Sequence, residues 1–172
     1  MTRYWIFPTL LGECLIVASE KGIKRLVLPG WSRKRMIDYV LDFYPQAERA
    51  SEPAPDYVQK AINYVVEYFE GKKPKAKNIR LDLSELSSFK KRVYEKVSEI
   101  PWGETRTYLW VADELGNPQA VRAVAQALAR NPLPLFIPCH RVVGKDGSLK
   151  GFSAPGGVKL KKYLLQMEKR PG

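Results

Sequence analysis

Histidine and cysteine are scarce in this chain. Its 172 residues hold a single histidine, His140, and two cysteines, Cys14 and Cys139. Two cysteines make no disulfide framework, and one histidine with two cysteines leaves no zinc site of the Cys/His kind. A reduced, intracellular compartment is the simpler expectation. Long apolar runs are missing too. Pro8, Gly12 and Glu13 interrupt the apolar stretch behind Arg3, so no signal-peptide core forms, and no stretch approaches a transmembrane length. The expected location is the cytoplasm, or the nucleus in a cell that has one, with no membrane partner. Acidic residues are outnumbered, 18 against 29 basic ones, for a net charge of +11. Such an excess points to a polyanionic partner, nucleic acid above all; general solubility is the plainer alternative. The excess is uneven. Residues 1–85 hold 14 basic and 11 acidic residues, whereas residues 86–172 hold 15 and 7.

What is present divides the same way. In the first half, Leu15–Ala18 and Ile23–Leu28 read as strands around a turn ending in Gly22. Ser32 is placed to cap a helix from Arg33 to Tyr44, with Met36, Val40, Leu41 and Tyr44 on one face. Residues 46–55 read as a loop, Asp56 to Glu70 as a second helix, and Ile79–Leu83 as a short strand. A domain boundary is expected near Glu85. Cys14, in a strand pattern with no histidine near it, reads as core.

In the second half, Ser88 is expected to cap a helix to about Ile100, and Thr107 one from Tyr108 to Leu115. Gly116 stops the latter. Asn117 and Pro118 then open a third helix to about Arg130. Two helices so tightly joined make a helix-turn-helix. The third is rich in alanine, which suits helix propensity and also a close approach to a nucleic-acid groove. Arg122 projects from that smooth face beside Ala123. Gly144–Gly147 is a turn, and the Ser148–Lys150 return strand would make the hairpin a wing. A last helix, Val158 to Lys169, is expected to bury Leu160, Tyr163, Leu164 and Met167.

The densest chemistry lies in Leu135–Val143, where Cys139, His140 and Arg141 sit inside an apolar, strand-like run. Buried polar groups need partners or a task. The readings are an activated thiol or a core cysteine beside a satisfied histidine. Neighbours on a regular strand face opposite ways. Cys139 and His140 therefore meet only if the backbone turns locally or a water bridges them.

Gly116-Asn117-Pro118, Arg122-Ala123-Val124, Arg130-Asn131-Pro132 and Ile137-Pro138-Cys139-His140-Arg141-Val142-Val143 resemble the O6-alkylguanine-DNA alkyltransferase family. The resemblance runs from about Trp102 to Glu168, and the first half shares only its general layout. It implies an α+β protein, with an RNase H-like sheet-and-helix domain over 1–85 and a winged helix-turn-helix-like domain over 86–172. It implies a monomer without cofactor or metal that acts on double-stranded DNA containing O6-alkylguanine. The alkyl group would pass irreversibly to Cys139, once per molecule. His140 would be the base, Glu168 its orienting carboxylate, and a water the bridge to the thiol. Asn131 would tie the helix end to the active segment. Tyr108 would help turn the target nucleotide and protonate the leaving base. Arg122 would enter the minor groove and fill the vacated stack, with Ala123, Asn117 and Lys145 along the DNA. Phe152, Ser153, Leu128 and Pro134 would shape the substrate pocket. Phe152 stands where the family often has tyrosine, and the loop before Gly156 is longer than in some members, which leaves the range of alkyl groups open.

Two other classes compete. One is a winged-helix regulator or a lesion binder without repair activity, which the presence of Cys139 disfavours. The other is a turnover thiol hydrolase, which needs an oxyanion site.

Overall fold

The computed structural model describes residues 1–149, 152 and 154–170. The chain folds as two compact units that part between Ser84 and Glu85. Among the described residues no helix is long and apolar enough to cross a membrane.

In the first unit, three antiparallel strands come first: β1 (Arg3–Thr9), β2 (Gly12–Ser19) and β3 (Gly22–Val27). β2 is buried from Cys14 to Ala18, as expected of a central strand covered on both faces. Alternation sends Leu15 and Val17 to one face. There they join Tyr4, Val27 and the inward residues Met36 and Val40 of α1 (Arg33–Phe43) in one apolar cluster. Ser32 caps α1 by accepting from Arg35 N at 3.2 Å. The helix α2 (Asp56–Phe69) packs on β1 and β3 and buries Val58, Ala61, Val65 and Phe69. Cys14 is fully buried and its thiol is pushed up to about 12, so it is core.

Two features differ from the sequence expectation. The loop at 46–55 contains a two-residue strand, β4 (Glu48–Arg49), added in parallel beside β1. The alternating Ile79–Leu83 makes a single parallel bridge, Ile23 to Leu81, rather than a strand. Gly22 explains how close that segment comes. Its φ is +146°, and a Cβ there would lie 2.7 Å from the Arg80 carbonyl.

The second unit opens with α3 (Ser88–Val97), capped by Ser87 and not by Ser88. Next come β5 (Arg106–Thr107) and α4 (Tyr108–Glu114), whose cap Thr107 accepts from Trp110 N at 3.0 Å. Gly116, at φ +78°, turns the chain. Asn117 makes no side-chain cap, and Pro118–Ala120 is a 3₁₀ turn before α5 (Val121–Ala129) begins. Proline suits this first position, where no intrahelical partner would use an N–H. Tyr94 of α3 donates its hydroxyl to the carbonyl of Ala127 at 2.6 Å and anchors α5 from behind.

The largest departure lies at the Cys-His segment. It is not a strand. Cys139–Arg141 forms a 3₁₀ turn, and only Val142–Val143 is extended, as β6, paired in parallel with β5. Pro138, without an N–H, suits the entry to such a turn. Upstream, Leu135 takes a left-handed φ of +72°, an uncommon conformation for a large side chain. The turn at Gly144–Gly147 is present, closed by Gly144 N to Ser148 O at 2.8 Å. Ser148 and Leu149 do not return as a strand, and Lys150 lies outside the described residues. The final helix, α6 (Gly157–Glu168), buries Leu164 and Met167 as expected. Leu160 and Tyr163 are only half-buried, while Lys161 and Glu168 are inside. Charged residues on a helix read as solvent-facing until a partner is seen.

Candidate active site

The 3₁₀ turn sets the geometry of the site. The backbone turns locally at Cys139–Arg141, so the strict alternation of a strand, which would hold Cys139 and His140 on opposite faces, does not apply. Cys139 is 6 % exposed and His140 fully buried. Asn131, just past the end of α5, ties the helix to the segment. Its Nδ2 donates to Ile137 O at 2.9 Å, and its Oδ1 accepts from Leu133 N at 2.9 Å.

Burial pushes the Cys139 thiol above its usual range. A hydrogen bond from the Asn131 side chain, the charge of Lys161 and the backbone N–H groups of Cys139 and His140 work against it without reversing it. The resting sulfur is therefore a thiol, poised among groups that would receive a thiolate.

His140 Nε2 hydrogen-bonds Glu168 Oε2. Glu168 also accepts from Arg141, Nε to Oε1 at 2.8 Å and Nη2 to Oε2 at 3.2 Å, and from Gly103 N at 3.3 Å. Arg141 Nη1 donates to Ile100 O at 2.9 Å. Burial alone would raise the Glu168 carboxyl, but the bonds and charges of His140 and Arg141 hold it down at about 2. Burial depresses His140; Glu168 opposes this, and the charges of Arg141 and Lys161 add to it.

Lys161 of α6 is 1 % exposed. Its Nζ donates to Val142 O at 2.8 Å and lies 3.5 Å from the Tyr108 hydroxyl. Burial brings its pKa down to about 8, against the opposing pull of Cys139. Tyr108 is 9 % exposed, and burial followed by the charge of Cys139 raises its hydroxyl. Cys139, His140, Glu168, Asn131 and Tyr108 thus stand together. Arg141, which the sequence marked but gave no role, and Lys161, which it did not mark, join them. For Arg141 the signal was there, a third polar residue in an apolar run. Lys161 lies among Lys159 and Lys162, and a lysine in so basic a stretch reads as solvent-facing.

Beside this cluster a groove of about 900 Å³ is lined by Tyr108, Leu109, Val121, Arg122, Ala125 and Lys145, among others. Arg122 is exposed on α5, as are Ala123 and Asn117 nearby. Leu128 and Pro134 do not line the groove. Leu128 lies on the inward face of α5, and Pro134 is bridged to Ile137. Phe152 is half-buried and likewise away from the groove lining, and Ser153 lies outside the described residues.

A family model described as the 6-O-methylguanine DNA methyltransferase DNA-binding domain matches residues 88–170. A Methanosarcina barkeri protein named methylated-DNA--protein-cysteine methyltransferase is 36 % identical over 167 residues, 96 % of each chain. The chain belongs to that family. The solved O6-methylguanine methyltransferase of Mycobacterium tuberculosis shares its mixed α+β fold, with TM-score 0.76 at 29 % identity, covering 100 % of this chain and 96 % of that one. The same organism's OGT in complex with DNA matches at 31 % identity and TM-score 0.75, covering 97 % and 92 %. Family membership extends over both units, whereas the sequence motifs spoke for the second alone.

The buried charges predict a pH dependence of stability. Glu168 and His140 both have folded pKa values below their ordinary 4.5 and 6.5. Each therefore contributes stability that is present above its ordinary value and lost as pH falls through the folded one. Unfolding free energy should decline below about pH 6.5 and more steeply below about pH 4.5. Denaturant titrations between about pH 7 and about pH 3 measure it. A folded Glu168→Gln protein that keeps the full acid slope would contradict the assignment.

Proposed function

We propose that this protein repairs DNA by moving an alkyl group from O6 of guanine to the sulfur of Cys139, once per molecule. The observation that carries the reading is a buried thiol among Asn131, Lys161 and backbone donors, one residue from a histidine–carboxylate pair and beside a groove bearing Tyr108 and Arg122. The relatives' names supply the substrate class.

The chemistry then follows from the residues. Neutral His140 donates through Nε2 to Glu168, which leaves Nδ1 to take the thiol proton, directly or across a water. The thiolate, stabilised by Lys161 and the Asn131 bond, attacks the alkyl carbon in line with the departing oxygen. A C–S bond forms, the C–O6 bond breaks, and the electron pair passes to the guanine. Tyr108 gives that base a proton, and exchange with solvent restores Tyr108 and His140. A thioether has no route back to a thiol, so the protein is spent.

A guanine in a duplex hides O6, so the nucleotide is turned out of the stack. Arg122 enters from the minor groove and holds the gap. Minor-groove readout is degenerate, which suits repair at any sequence. Basic charge on the second unit supplies affinity independent of sequence. In this reading the second unit acts as a helix-turn-helix-like module, α4 and α5 being its helix pair, and the first is an RNase H-like domain. The protein acts as a monomer.

Intact-mass spectrometry after incubation with DNA carrying O6-methylguanine tests the proposal. One methyl per molecule, confined to Cys139, is the expected result. No adduct would leave a binding module. Product accumulating beyond one equivalent would mean a turnover enzyme.

A further inference from the structure

Arg141 is buried away from the groove lining, yet it meets Glu168 with a two-pronged guanidinium. In a simple nucleophile–histidine–carboxylate chain, the carboxylate faces the imidazole alone and favours its protonated form. Here the carboxylate is already occupied. Arg141 takes both oxygens, Gly103 N adds to Oε1, and the second oxygen is shared with His140. The guanidinium is itself held in place by Ile100 O and lies 5.7 Å from the centre of the Trp102 ring.

We infer that Arg141 is a positioning residue for the transfer: it neutralises Glu168 and aims the carboxylate's second oxygen at His140, so that the imidazole stands beside a compensated ion pair and keeps Nδ1 unprotonated as proton acceptor. The inference rests on the alkyl-transfer reading above and deepens it.

Two geometric points support it. A guanidinium fork fixes both carboxylate oxygens in one plane, which a lysine ammonium does not. Glu168 sits on α6 and His140 on the 3₁₀ turn, so the register between helix and turn depends on this pair. The charges around His140 are Glu168 and Lys161 from α6 and Arg141 from its own turn; the neutral titratable groups are the Cys139 thiol beside it and the Tyr108 hydroxyl from α4, near Lys161 and Cys139. If Arg141 loses its charge, Glu168 becomes an uncompensated carboxylate against the imidazole. His140 would then hold a second proton more tightly, and Nδ1 would be blocked.

The single histidine makes the test direct, because the protein has one imidazole signal to follow. We would titrate it by NMR in wild type, Arg141→Gln and Arg141→Lys, and measure the pH profile of methyl transfer for each. In Arg141→Gln the titration midpoint should move to higher pH, and the acid limb of the transfer rate should move with it. In Arg141→Lys the charge remains, so the midpoint should stay near wild type while the rate falls about tenfold at every pH through loss of the fork. A purely structural arginine would lower thermal stability in both variants without moving the midpoint in folded protein. A folded Arg141→Gln whose midpoint is unmoved or lower overturns the inference. Removing one partner of a buried pair is strongly destabilising. Should Arg141→Gln not fold, a wild-type transfer rate in Arg141→Lys overturns it instead. The titration needs no alkylated DNA. A wild-type protein that transfers nothing would sink the functional reading, and an unmoved midpoint would sink the role of Arg141.

Discussion

Cys139→Ala protein should take up no alkyl group from O6-methylguanine DNA, yet bind that DNA within about threefold of wild type, roughly 0.7 kcal/mol. The thiol forms the only bond in the proposed reaction, so no residual route to a protein adduct remains. Affinity has other sources. Arg122 and Lys145 line the groove, and the basic excess of the second unit acts through the phosphates. The change removes one sulfur from a site that is 6 % exposed, which leaves a small gap in the packing and the fold intact. Intact mass reads the first outcome and a fluorescence titration with duplex the second. A folded variant that loses transfer and binding together would mean that Cys139 organises the DNA surface. One that still gains a methyl group would move the nucleophile elsewhere.

The second large effect separates recognition from bond-making. Arg122→Ala should slow repair of duplex DNA by about thirtyfold, the equivalent of roughly 2 kcal/mol, because extruding a base costs a few kcal/mol of stacking and pairing. A free O6-alkylguanine base has no stack to leave, so its reaction should change within about threefold. Arg122 is exposed on α5, and its removal leaves the buried Val124, Ala127 and Leu128 face untouched. His140→Ala should slow both substrates alike, since the proposed mechanism has it take the thiol proton. Second-order rate constants on duplex and on free base decide the matter. Equal slowing of both by Arg122→Ala would remove its role in flipping and make it structural or catalytic.

Local patterns and a specific motif carried much of this protein's description. Period and capping placed α1, α2, α4 and α6 to within a residue or two, because Ser32, Thr107 and the flanking glycines and prolines act on the few residues beside them. Pro138-Cys139-His140-Arg141 with Asn131 upstream pointed to the family, since that spacing is rarely met otherwise. Apolar flanks, however, look the same around a strand as around a buried turn. That is why Leu135–Val143 read as extended when Cys139–Arg141 is a 3₁₀ turn. Other local signals overreached differently: the turn at Gly144–Gly147 implied a return strand, and the alternation of Ile79–Leu83 implied a strand where a single bridge forms.

Partnership between distant residues was decided by tertiary packing. Glu168 lies 28 positions beyond His140, and only the family resemblance named it as a partner, because an acidic side chain on a helix reads as solvent-facing. Lys161, one cation among several on that helix, became a buried neighbour of Tyr108 and Cys139 only when α6 packed against the turn. Hydrophobic period tells which apolar faces turn in. It is silent on a charged residue whose burial is offset by a partner from another element. The protonation states of the site depend on the same packing. Desolvation raises the Cys139 thiol and lowers His140, and the partnerships with His140 and then Arg141 lower Glu168, through distances that exist only in the folded chain.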